Sequence, residues 1–499
     1  MLTYSLENTN GLSLYEYLYK CIKTDIIAGA LCAGTKLPSK RAFAKNLNVS
    51  TITIENAYSQ LMAEGYIFSK PKSGYFVARL LSAGNSLQYT SRNAYNDKSI
   101  VNSSSNNYDY KEASSLLLSD KTGLHKNTPV YADFISGKNL NGNFPFTVWS
   151  KLLREVMAEQ SELLLNNPPP GGIMLLRQAI AEHLYQFRGM RVSPEQIIVG
   201  AGTEYLYGLI IQLLGRDKIF AMENPGYKKI SQVYLSNNVK CQYIPLDNNG
   251  VSIDLLLESK ADILHISPSH HYPTGLVTPV TRRHELLEWA CKSRERYIIE
   301  DDYDCEFRMV GKPIPTLQSI DNYGKVIYMN TFTKSLASTI RISYMVLPAG
   351  LINKFYEKLG FYSCTVSAFE QLTLYKFMSG GYFEKHINRM RNFYKNQRNL
   401  ILASIKSSPL NNLCTIKEQD SGLHFLMTVN TTLSESKIRE QAERMGIRIG
   451  FLSDFYFNSP PEAAAAITDY PSHTLVINYS GIEPEKIPHA LSLLSKCIV

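Results

Sequence analysis

Apolar residues recur at helical spacing through Leu14, Leu18, Ile22, Ile26 and Ile27, which predicts an amphipathic helix closed by the glycines at 29 and 34. Ser39 is placed to cap a second helix over residues 40–47. A tight turn at 46–50 follows, and Ser50 can cap a third helix over 51–64. Two short helices joined in this way predict a helix-turn-helix. After Gly65, residues 66–77 read as two short strands around a basic turn, a wing. Residues 1–80 are therefore expected to form an α+β winged helix-turn-helix.

From about residue 81 the pattern lapses. The run Asn96-Asp-Lys-Ser-Ile-Val-Asn-Ser-Ser-Ser-Asn-Asn is polar and aperiodic, so residues 81–129 are expected to be a flexible linker. From residue 130 to 499 helical patterns alternate with short, wholly apolar runs such as Ile197-Ile-Val, Leu264-His-Ile and Tyr297-Ile-Ile. That alternation predicts an α/β domain on a largely parallel sheet.

Composition adds bounds. A chain of 499 residues exceeds one core. Hydrophobic residues at 44% and charged residues at 19% fit an ordinary globular protein. Net charge is +8, and residues 1–80 carry nine Lys/Arg against five Asp/Glu, so half the excess sits in the winged-helix segment. The eight cysteines are far apart and lack metal-site spacing, which points to reduced thiols and a cytoplasmic location. No apolar run has the length of a membrane span, and the first residues lack the basic and apolar regions of a signal peptide.

The candidate chemistry centres on residues 326–346. Two apolar runs, 326–329 and 342–346, read as strands, and between them lie hydroxyls, one lysine and one arginine. Thr331, Thr333 and Ser335 can donate to phosphate oxygens and Arg341 can neutralise an anion bidentately. Lys334 is left to form a Schiff base. The turn Gly200-Ala201-Gly202-Thr203-Glu204 enters a helix, and small residues there present free N–H groups to an anion. Glu300, Asp301, Asp302 and Asp304 end an apolar run; so many carboxylates without a compensating cation imply a functional reason. The pair His270-His271 lacks a third residue spaced to complete a metal site.

These segments resemble a known family. Asn330-Thr331-Phe332-Thr333-Lys334, with Arg341 seven residues on, is similar to the lysine segment of fold-type I pyridoxal-phosphate (PLP) enzymes. The form is that of the MocR/GabR subfamily of GntR-type regulators, which join a winged helix to an aspartate aminotransferase-like domain. Glu300-Asp-Asp-Tyr-Asp-Cys-Glu-Phe, Pro268-Ser-His-His-Tyr-Pro-Thr-Gly and Lys36-Leu-Pro-Ser-Lys-Arg match the same subfamily. The resemblance covers essentially everything but the linker.

The resemblance implies PLP on Lys334, its ring nitrogen on Asp301 (Asp302 as the fallback) and its phenolic oxygen on Tyr303. Tyr227 would lie over the ring. Ala201, Gly202, Thr203, Thr331, Thr333 and Arg341 would hold the phosphate, and His270 or Tyr272 would line the pocket. It implies operator DNA as partner, with Ser39, Lys40 and Arg41 on phosphates, Ser50 capping the recognition helix, and Thr51, Thr53 and Asn56 at base edges. Lys70, Lys72 and Gly74 of the wing would track the backbone or minor groove. It implies a head-to-tail homodimer, with linkers long enough to lay one winged helix by the partner's large domain. The expected function is a PLP-dependent transcription regulator; the alternative is an aminotransferase with an appended DNA-binding domain.

Three departures bear on this. Thr51 stands where the family usually has arginine, so a base preference cannot be carried over. Val476 stands where amino-acid aminotransferases place the arginine that clamps the substrate carboxylate. Asn167 begins Asn-Pro-Pro-Pro, near where many relatives have a tyrosine reaching the partner's PLP. The effector is then PLP itself, or an amine or amino acid held through Lys229, His270 or Arg389.

Overall fold

The computed structural model describes Tyr4 and residues 12–70, 73–78, 130–137, 143–308, 315–417, 422–457 and 471–498. The linker and Lys72 lie outside these residues.

The first unit is built from α1 (Leu14–Ile27), α2 (Lys40–Leu47) and α3 (Thr51–Ala63), followed by the antiparallel hairpin β1 (Ile67–Lys70) and β2 (Gly74–Val77). The expected caps are in place. Ser39 Oγ accepts from the Ala42 amide and Ser50 Oγ from the Thr53 amide. The turn between α2 and α3 closes through Asn48, left-handed at φ 53°. Leu18, Ile22, Phe43, Ile54, Tyr58 and Leu61 form the core, and all are fully buried. Val280, from the distant large domain, completes that core.

The large unit opens with β3 (Ala132–Asp133), α4 (Phe146–Glu159) and α5 (Met174–Arg188). Then come β4 (Ile197–Gly200), α6 (Thr203–Leu214), β5 (Ile219–Asn224), α7 (Lys228–Ser236), β6 (Lys240–Asp247), β7 (Gly250–Val251) and β8 (Ile263–Ile266). They are followed by α8 (Val280–Cys291), β9 (Tyr297–Asp301), β10 (Val326–Thr331) and β11 (Ser343–Val346). The eight strands run in the order β4-β11-β10-β9-β8-β5-β6-β7. β5, β6, β8, β9 and β10 are parallel, whereas β11 is antiparallel to both β4 and β10. The sheet is mixed because the lysine segment is a tight connection between β10 and β11, too short for a parallel crossover. Helices cover both faces, so the strands are apolar throughout. α9 (Ala349–Leu359), α10 (Ala368–Ser379) and the long α11 (Tyr382–Lys406) lead to the last layer. There β12 (Cys414–Lys417), β13 (His424–Val429) and β15 (Thr474–Asn478) form an antiparallel sheet. Helices α12 (Glu435–Arg444) and α13 (Ile487–Ile498) pack on it, and β14 (Ile447–Arg448) pairs with β3.

The two units touch within one chain. A Cβ on Gly65 would lie 2.7 Å from that of Pro279, so the glycine permits the close approach. None of the described helices is long and apolar enough to cross a membrane.

Candidate functional site

The ends of β4, β9 and β10 and the start of β11 meet at one edge of the sheet. Topology therefore gathers residues that are far apart in sequence around a cavity of about 510 Å³. Thr203, Tyr227, Asp301, Tyr303, Thr331, Thr333, Lys334 and Arg341 all line it.

Asp301 is buried at the end of β9. Its Oδ2 accepts from the Tyr207 hydroxyl at 2.6 Å, with His265 Nε2 at 3.5 Å. Its Oδ1 has no hydrogen-bond partner among the described residues. A buried carboxylate oxygen without a donor is costly, and a protonated ring nitrogen would satisfy it. Lys334 lies on the helical turn Phe332–Ser335 after β10. Its Nζ donates to the Gly137 carbonyl at 3.4 Å, and a Cβ on Gly137 would collide with it. Burial pushes the Lys334 amine down from the ordinary lysine range, opposed by the charge of Asp304.

At the other end of the cavity, Arg341 lies against Gly202, where a Cβ would strike the guanidinium. Thr331 Oγ1 donates to Thr333 Oγ1 at 2.8 Å and accepts from Ser343 Oγ. Arg341 donates to Glu204 at 3.1 Å, and Glu204 also pairs with Lys229.

Several expected residues sit elsewhere. His270 does not line the cavity. It stands behind the wall, with Nδ1 2.8 Å from Asp304 and 3.2 Å from the Tyr303 hydroxyl, and Tyr272 takes the lining position. The Ala201 amide donates to Thr365 Oγ1 instead of facing the cavity. Ser335 turns back to the Phe332 carbonyl. Arg389 bonds the Asn143 carbonyl and His386. Asp302 is taken up by Arg188 at 2.6 Å and the Tyr328 hydroxyl at 2.8 Å, which removes it as the fallback. Glu300 accepts two main-chain amides, with Arg283 at 4.0 Å. The carboxylate run is thus largely compensated by cations from distant elements, contrary to the expectation from sequence. The functional case rests on Asp301 alone. Sequence reasoning missed Glu204, Tyr207 and His265, whose roles depend on neighbours remote in the chain.

Val476 is buried with Leu426 and Leu452, and Tyr272, Phe455 and Tyr456 pack against them. The position of the missing clamp is a closed apolar cluster.

On the winged helix, Arg41, Thr51 and Asn56 are exposed and Thr53 is half-buried beside Ser50. Lys40 pairs with Glu55 of α3 at 2.5 Å, a partner the sequence reading did not supply. Ile52 is 68% exposed beside them. In the wing, Lys70 lies over Phe68 and Phe76, and Gly74 adopts φ 112°.

Residues 14–77 match the gntR family of bacterial regulatory proteins, and residues 131–489 match aminotransferase class I and II. The chain is 34% identical over 489 residues to the uncharacterized HTH-type transcriptional regulator YdeL of Bacillus subtilis, covering 98% of this chain and 97% of that one. It is 30% identical to the probable rhizopine catabolism regulatory protein MocR of Rhizobium meliloti, covering 98% and 94%. The chain belongs to the MocR subfamily of GntR-type transcription regulators. Among solved structures it resembles the kynurenine aminotransferase of Pyrococcus horikoshii, determined with PMP (TM-score 0.64, 26% identity, covering 78% of this chain and 94% of that one). The cofactor of this aminotransferase fold is PLP. The unpartnered oxygen of Asp301, the buried amine of Lys334 and the small residues Gly137 and Gly202 fit such a group.

Proposed function

We propose that this member of the subfamily is a transcription regulator in which PLP is both the bound cofactor and the signal. When bound, PLP would supply an aldehyde, and the buried Lys334 amine is the group that would receive it. Asp301 holds the ring nitrogen, Tyr303 the phenolic oxygen and Tyr227 one ring face. Gly202, Thr203, Thr331, Thr333 and Arg341 receive the phosphate. The observation that carries the reading is the contrast between this set and Val476. The groups suited to the cofactor converge, while the place for a substrate carboxylate is sealed by Leu426 and Leu452. A pocket so built discriminates poorly among amino acids.

On this reading residues 1–80 bind operator DNA, residues 81–129 tether them, and residues 130–499 receive the signal. Two copies form a head-to-tail dimer. Phe146, Leu165 and Phe361, 68%, 87% and 76% exposed, are side chains that such a dimer could cover. The linkers are long enough for the winged-helix contact to be made within a chain or across the dimer.

The test is footprinting and titration of operator binding with PLP alone, then with a panel of amines and amino acids. PLP should shift the footprint by itself. If operator binding is indifferent to PLP while one amino acid shifts it, the signal is that amino acid. Catalytic turnover of a keto acid by wild-type protein would instead favour an aminotransferase with an appended DNA-binding domain.

A further inference from the structure

The anion end of the cavity already contains a carboxylate. Glu204 is the second residue of α6, where the helix presents its free amides. One of its oxygens pairs with Lys229, from the first turn of α7, and the other accepts from Arg341 Nη2 at 3.1 Å. Lys229 is the first cause of the lowered Glu204 pKa, so the group is anionic at neutral pH. Glu204, Lys229 and Arg341 line the same cavity as Thr203, Thr331 and Thr333. Two of the charges best placed to receive a phosphate are therefore engaged by a group of the same sign as phosphate.

Both anions cannot hold the two cations at full strength, because like charges a few ångströms apart repel. The side chains of Glu204, Lys229 and Arg341 are 36%, 50% and 45% exposed. Pairs this open to water are individually weak and break readily. Glu204 can rotate outward without unpacking a core.

We propose that Glu204 is a built-in competitor for the cofactor's phosphate. It occupies Arg341 and Lys229 before the cofactor arrives, must release them as the phosphate enters, and so weakens cofactor binding enough for occupancy to follow concentration. The inference rests on the reading above that PLP binds at Lys334 and acts as the signal. It adds the residue that sets the threshold.

The experiment compares wild type, Glu204→Gln and Glu204→Ala, each titrated with PLP and with pyridoxal, which lacks the phosphate. The readouts are the visible absorbance of the lysine-bound aldehyde and its rate of release after dilution. Both variants should bind PLP about tenfold more tightly than wild type, with slower release, as expected for removal of one partly screened charge contact. Pyridoxal affinity should stay within about twofold, because no phosphate is present to compete with the carboxylate. If the variants bind PLP no more tightly, or if PLP and pyridoxal change alike, Glu204 is not a competitor. If wild type binds neither aldehyde at Lys334, the underlying reading fails, and this one with it.

Discussion

The main-chain amide of Val280, at the start of α8, donates to the carbonyl of Glu64, at the end of α3, over 3.1 Å. Each helix end thereby supplies a partner the other lacks. The Glu64 carboxylate meanwhile accepts from Tyr19, Gln60 and Lys23, locking α3 to α1. One turn beyond Val280, Arg283 donates to the carbonyls of Thr278 and Pro268. Pro268 lies in the stretch whose Ser267 and Tyr272 line the cavity. A continuous set of bonded groups joins cavity and winged helix, and a change in cavity occupancy that moved this stretch would reach α3.

Gly65→Ala tests that link. Gly65 has φ +79°, and an added Cβ would strike Pro279. Winged-helix docking should weaken, at a cost of roughly 1 kcal/mol or more from strain. Operator binding should persist but lose its response to PLP. An unchanged PLP response in gel-shift titrations would show that docking does not transmit the signal.

Lys334→Ala should abolish the visible absorbance of bound PLP and leave circular dichroism unchanged. Because burial lowers the amine's pKa, the neutral, reactive form persists to lower pH than for a surface lysine. The absorbance of wild type should therefore survive mild acidification better than that of a free lysine–PLP adduct. Retention of the band in the alanine variant would contradict the assignment.

Val476→Arg should not restore a carboxylate clamp. It would bury an unpaired charge among Leu426, Leu452 and Tyr272, at a cost of roughly 3 kcal/mol. A lower melting temperature without new amino-acid binding is expected; selective amino-acid binding would show that the cluster can open.

Arg41→Ala should weaken binding to every DNA sequence and reduce the salt slope by about one unit. Thr53→Ala should change the ranking of operator variants, by base contact or by loosening the cap it shares with Ser50. Equal losses on operator and random DNA for both variants would contradict this division.

Much of the architecture was legible because it is local. The caps at Ser39 and Ser50 placed α2 and α3, and apolar runs placed β4, β9 and β10. That Asp301, Lys334 and Arg341 would meet at one cavity was legible from their motif. What escaped is what depends on long reach. Arg188, 114 residues away, neutralises Asp302, and Arg341 meets Glu204 across 137 residues. No periodicity records such pairings. The motif leaves His270 and Tyr272 as alternatives for the lining position, and only the fold decides between them. The backbone there turns Tyr272 inward and leaves the imidazole to Asp304.

The strands β4, β11, β10 and β9 are consecutive neighbours in the sheet; of the proposed anchors, Asp301 ends β9, Thr203 and Lys334 lie just after β4 and β10, and Arg341 just before β11. A single small molecule gripping all four would cross-brace the middle of the domain. Its binding energy would add to the free energy of unfolding by mass action, rising by about 1.4 kcal/mol for each tenfold increase in free ligand above the dissociation constant. Heat resistance of the purified protein would then serve as a gauge of vitamin supply, and a cell short of PLP would hold this regulator in its least durable form.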